Sequence, residues 1–149
     1  MRAIVQKVKK AKVEVAGELV GKISKGFLVF VAVTDRDNKE DIDYIKKKIE
    51  KLRIFEDEEG KMNLSVKDVG GDILIVSQFT LYGDVRKGNR PSFINSSSAD
   101  KAKEYYEILI EELKIDGFKV ETGRFQSHME VSLINDGPVT IQLDSEKIY

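Results

Sequence analysis

A chain of 149 residues is long enough for one substantial core and too short for two, so a single domain spanning 1–149 is expected. With no cysteine and one histidine, it excludes disulfides, thiolate nucleophiles and cysteine zinc sites, and it fits a reducing, cytoplasmic setting. A net charge of −1 excludes a protein coated in positive charge for general nucleic-acid binding, so any RNA contact must be local, and the longest apolar run, Phe27 to Val33, falls far short of the roughly 20 residues that cross a bilayer.

In chain order, Ile4, Gln6, Val8, Val13, Val15 and Leu19 alternate with charged neighbours and break at Ala16-Gly17-Glu18, which predicts an opening strand and a hairpin. Phe27 to Val33 is a continuous β-rich run of the kind buried on both faces, hence a central strand. Asp37 and Glu40 have capping-box spacing, and Ile42, Ile45, Ile49 and Leu52 then recur at helical intervals. Short strands are expected at Arg53–Phe55 and Met62–Leu64 around an acidic turn, and a second core strand from Ile73 to Leu81. A polar loop, Gly83 to Asn95, leads to Ser96-Ser97-Ser98, which can cap a second helix running to about Leu113. Val120–Thr122, Glu130–Ile134 and Val139–Leu143 complete a strand-rich C-terminal part, and Gly137-Pro138 between the last two reads as a tight turn. The sum is an α/β protein with two main helices and more sheet than a doubly wound fold has.

Three features can bear chemistry. Thr80 ends the motif Ser77-Gln78-Phe79-Thr80-Leu81; its hydroxyl is either a strand residue's or a reactive one, and no general base stands near it in sequence. His128 is a lone histidine, a surface or packing residue rather than part of a triad. The stretch with Arg86, Lys87 and Arg90 has no acid between Asp84 and Asp100, so it is either a solvated charge run or a clamp for phosphates.

The first motif, with Asn135-Asp136-Gly137-Pro138-Val139-Thr140, resembles the signature pair of the D-aminoacyl-tRNA deacylases. The likeness extends to Met1–Gln6, Leu52–Asp57, Gly60–Ser65 and Arg90–Phe93, so it covers nearly the whole chain. The resemblance implies a compact three-layer α/β/β domain with strand-rich mixed sheets, and a homodimer whose two active sites are shared across the interface. It implies hydrolysis of the ester that joins a D-amino acid or glycine to the 3' acceptor end of tRNA, without metal or organic cofactor. The amides of Phe79 and Thr80 would then stabilise the oxyanion, assisted by the neighbouring ribose hydroxyl, while Ser77 and Gln78 fix the loop or meet the terminal adenosine. Gly137 and Pro138, cis in the family, would enter the partner's site and exclude an L side chain, braced by Asn135 and Thr140. Met129 would line the amino-acid pocket, and Arg86 and Lys87 the approach of the acceptor end. The sequence departs from the family at Lys7, where relatives carry Arg, and at Gln126-Ser127, where many carry Gly-Ala. Two other readings stay open: a non-catalytic module that binds the tRNA 3' end, and a small-molecule esterase or isomerase using Thr80.

Overall fold

The computed structural model, which describes residues 1–148, contains eight strands, two α-helices and one 3-10 helix among those residues. The alternating N-terminal segment forms one long strand, β1 (Arg2–Val15), followed by β2 (Glu18–Ile23) and β3 (Gly26–Ala32). Then come α1 (Lys39–Lys51), the small hairpin β4 (Phe55–Glu56) and β5 (Met62–Leu64), and β6 (Asp72–Ser77). A 3-10 helix (Phe79–Tyr82), α2 (Ala99–Ile115), β7 (Val120–Thr122) and β8 (Glu130–Asp144) complete the chain.

β1 organises the six-stranded sheet. Along one edge it pairs antiparallel with β3 over Arg2–Val8 and then with β2 over Ala11–Val15, while β8 runs antiparallel along its other edge past both. β6 lies parallel to β3 on one side and to β7 on the other. Alternate residues of β3 and β6 feed two cores. Phe27, Val29, Val31, Ile73 and Ile75 face the helices, meeting Ile42, Ile45 and Ile49 of α1 and Tyr106, Leu109 and Leu113 of α2. Leu28, Leu74 and Val76 face the other way, onto Val8, Ala11, Val13 and Ile23. Helices, central strands and the far halves of β1, β2 and β8 are therefore the three layers of the expected α/β/β arrangement. Each fully buried isoleucine of α1 contributes roughly 1.5–3 kcal/mol, which accounts for a helix whose remaining surface is lysine and acid.

Four local expectations are corrected. The first helix is capped by Asn38 with Asp41, not by Asp37 with Glu40; Asp37 is buried instead, accepting from the Met1 amine at 2.5 Å and the Thr34 amide at 2.8 Å. The strand predicted at Arg53–Phe55 begins at Phe55. The strand predicted to Leu81 stops at Ser77, because β3, its partner, ends at Ala32 and offers no further rungs beyond the bond from the Gln78 amide to the Val31 carbonyl. The two C-terminal strands are one: both halves of β8 pair with β1 in the same sense, so Gly137-Pro138 does not reverse the chain.

Gly26 lets β3 approach β6 closely, since a Cβ there would lie 1.9 Å from the Asp72 carbonyl oxygen and 2.7 Å from its nitrogen. Gly26→Ala should therefore force two paired backbones apart and cost about 3 kcal/mol or more, read as a lower denaturation midpoint at unchanged m-value.

Candidate active site

The first motif is held where β6 runs out. Beyond Ser77 the chain winds into the 3-10 helix, closed by Leu81 N–H to the Gln78 carbonyl (3.1 Å) and Gly83 N–H to the Thr80 carbonyl (2.9 Å). Arg2 reaches over from β1: its Nη1 donates to the Leu81 carbonyl at 3.2 Å, its guanidinium lies 4.5 Å from the Tyr82 ring centre, and its Nε pairs with Asp144 at 2.9 Å. Burial pushes the Tyr82 phenol above its ordinary range. From the other side the Ser96 hydroxyl donates to the Phe79 carbonyl at 3.1 Å. These contacts engage the carbonyls of Gln78, Phe79, Thr80 and Leu81 but leave the leading amides of the turn unspent. The Phe79 and Thr80 N–H groups, first in the 3-10 helix, donate to no described residue.

The Thr80 hydroxyl accepts a short hydrogen bond from the Gln78 side-chain amide. Among the described residues no histidine, carboxylate or amine hydrogen-bonds to it, so the geometry lacks the base that a threonine nucleophile requires.

Ser77, Gln78 and Phe79 form one wall of a cavity of about 640 Å³. Ser96, Ser97, Ala99 and Ala102 at the start of α2 form a second wall, and Phe125 to Met129 a third. Met129 is the last residue of that third wall. His128, Ser96 and Ser97 join the cavity through tertiary packing alone, and no local signal marks them, since the cap of α2 is Ser98, which does not line it. Gln126 has φ +55°, a conformation that favours glycine, at a position where the resemblance leads one to expect glycine. Gln126 forms part of that wall. Beside the cavity the exposed Phe79 ring meets Phe93 edge-on, with centres 5.0 Å apart.

The second motif is an extrusion from β8. Between the pairs Gln6–Thr140 and Val8–Asn135, β1 advances two residues and β8 five, so Asp136 to Val139 stand out from the ladder. The Gly137-Pro138 bond is cis, and Gly137 at φ +134° could carry no Cβ without meeting Val139 Cγ2 at 2.6 Å. Asn135 clamps the extrusion at its base, its Oδ1 accepting from the Val139 amide (3.0 Å) and its Nδ2 donating to Thr140 Oγ1 (2.9 Å). Gln6 donates to the same hydroxyl at 3.2 Å. Beneath it lies Lys7, 1% exposed, bound to both oxygens of Glu56 (2.7 and 2.8 Å) and 3.8 Å from Asp136. The bond to Lys7 holds the Glu56 carboxyl below its ordinary pKa. Gly137 and Pro138 are exposed, and neither they nor Asn135 and Thr140 line the cavity that the first motif lines.

In the basic loop, Arg86 spends its fork on Asp84 (2.9 and 2.6 Å), which holds that carboxyl down at about 2. Lys87 and Arg90 are exposed and have no ion pair with any described residue.

Architecture and cavity together define a class: three-layer α/β/β proteins with a hydroxyl- and amide-lined pocket at the C-terminal end of a central strand. The family model described as D-Tyr-tRNA(Tyr) deacylase matches residues 4–144. Over 149 residues, covering all of both chains, the sequence is 59% identical to the D-aminoacyl-tRNA deacylase of Thermosipho africanus and 57% identical to that of Thermotoga petrophila. A solved structure described as c-Myc DNA Unwinding Element Binding Protein superposes with a TM-score of 0.91 at 38% identity, covering 97% of this chain and 98% of that one. A probable eukaryotic D-amino acid tRNA deacylase shares the fold at a TM-score of 0.81 and 20% identity, with coverage of 95% and 97%. The chain belongs to the D-Tyr-tRNA(Tyr) deacylase family.

Lys7→Met should remove the cation under the extrusion and lower the melting temperature, by less than loss of a fully buried pair would because Glu56 keeps 46% exposure. Thermal unfolding measures that loss. Because the Glu56 carboxyl is depressed by the pair, the stabilisation in the parent is complete above the ordinary glutamate pKa and fades as pH falls through the lowered value. The difference between parent and Lys7→Met should narrow over that acid window.

Proposed function

We propose that this chain is a cytoplasmic D-aminoacyl-tRNA deacylase. Water adds to the ester carbonyl, the carbonyl oxygen becomes an oxyanion, and collapse expels the ribose oxygen, which takes a proton, so that free tRNA and the D-amino acid are released. The observation that carries this reading is the pair of unspent amides at Phe79 and Thr80, set beside the Ser77–Gln78 wall in a member of this family. Two N–H groups aimed at developing negative charge are an oxyanion hole, and loss of one such donor in other hydrolases costs about 10²–10³ in rate. An aminoacyl ester is already activated, so the neighbouring ribose hydroxyl and these main-chain groups suffice, and Gln78 and Thr80 position rather than react.

Chirality is read by obstruction. The two enantiomers carry the same groups, so added attraction separates them poorly, whereas main chain placed against the α-carbon rejects one hand. Gly137 and Pro138 are the groups for that task. Exposed, clamped by Asn135 and Thr140 and set apart from their own protomer's cavity, they fit the cavity of a second copy, in a homodimer with two shared sites. Glycine, with no side chain to exclude, would pass, so glycyl-tRNA(Ala) is a second substrate. Met129 lines the amino-acid side of the pocket, and Arg86 with Lys87 borders the approach of the acceptor end.

The purified protein, given D-tyrosyl-tRNA and L-tyrosyl-tRNA in parallel with chelator present, should release tyrosine from the D ester alone. Survival of both esters with tRNA retained would make the chain a binding module, and equal cleavage would refute the filter. Thr80→Ala should keep the rate within about 100-fold of the parent, whereas loss of a covalent nucleophile costs up to about a million-fold.

A further inference from the structure

A second cavity, of about 560 Å³, lies at the opposite end of the sheet from the candidate active site. Its lining includes Ser24, before β3, and Lys119, before β7, whereas Ser77 and Gln78 end β6. The six residues of β6 separate the two ends by about 20 Å.

Most of the lining is three successive rows across β2, β1 and β8. The middle row, Ile23–Ala11–Leu133, is apolar; one flanking row is Lys22–Lys12–Ser132, and the other contains Lys10 and Ile134. Four lysines thus surround one cavity in a chain of net charge −1. Lys12 is paired with Glu14 at 2.6 Å and Lys119 with Asp72 at 3.0 Å, but Lys10 and Lys22 have no ion pair with any described residue. Lys12 and Lys22 are also directly opposed in register. Like charges placed so destabilise a strand pair, and an anion seated between them removes the penalty.

We propose that this cavity binds a phosphate group, with Lys10 and Lys22 as its principal cations and Ser24 and Ser132 as hydroxyl donors. The occupant is a nucleotide of the tRNA itself. A strand leaving the ester site carries a phosphate with every nucleotide, so a contact about 20 Å away is available to it. That identity rests on the deacylase reading, while the phosphate chemistry does not.

The test compares the full chain with Lys10→Ala/Lys22→Ala in three assays. Binding of deacylated tRNA across a salt series should weaken in the double variant, and the slope of log affinity against log salt should fall by about 2. In the parent, inorganic phosphate should shift the backbone amide resonances of residues 10–12, 22–24 and 132–134, and the double variant should lose that response. Hydrolysis of D-tyrosyl-adenosine, a short mimic of the 3' end, should be unchanged, and the melting temperature should not fall, since the variant relieves the Lys12–Lys22 opposition. Phosphate shifts with unaltered tRNA affinity would overturn the tRNA occupant and assign a free phosphorylated molecule. Absence of both effects, as when a second copy covers this face, would overturn the site. Failure of the parent to cleave D-tyrosyl-adenosine or D-tyrosyl-tRNA would sink the deacylase reading while leaving the phosphate result intact.

Discussion

Everything in this molecule depends on the way β1 changes layer. Its first half buries Ala3 and Val5 against the helix-side core; beyond Val8 the buried positions slip in parity, and Ala11 and Val13 serve the second core. The slip is a one-residue bulge: from Val8 to Lys10 β1 advances two positions while β8 advances one. One strand thereby joins two sheets' worth of packing. The adjoining register shift, from Gln6 to Val8, is where β8 throws out Asp136 to Val139, so the irregularity that bends the scaffold lies next to the segment assigned to the chiral filter.

Charge is distributed to match. The near-neutral total conceals a buried ammonium at Lys7, stitched to Glu56 under the extrusion, and a row of lysines facing outward where β1 has crossed over. Between them the first motif is held by bonds to its carbonyls, from Arg2, Ser96 and its own turn. A loop fixed through its acceptors presents its donors. That is the electrostatic arrangement the proposed oxyanion site requires, and it needs no ionisable side chain.

Much of this was legible in the residues. The both-faces burial of Phe27 to Val33 follows from an uninterrupted apolar run, and the helical spacing of Ile42, Ile45 and Ile49 placed α1 within a residue or two. Two features were not legible, for a common reason. Phe79-Thr80-Leu81 has strand composition, yet a strand exists only while a neighbour supplies rungs, and β3 stops first. Gly137-Pro138 has turn composition, yet β8 continues because β1, more than a hundred residues earlier, pairs with both of its halves. Local propensity describes a segment; the partner decides its fate. The cavity walls from Ser96, Ser97 and His128 were hidden likewise, since only the fold brings them to Ser77.

The extrusion in β8 also has a bearing on solubility. Among the described residues β8 pairs with β1 alone, which leaves its other side an open edge of the kind that recruits foreign strands into fibrils. Four residues thrown out of line divide that edge into two short runs that no single straight strand can match. The segment assigned to the chiral filter thus also interrupts an exposed strand edge.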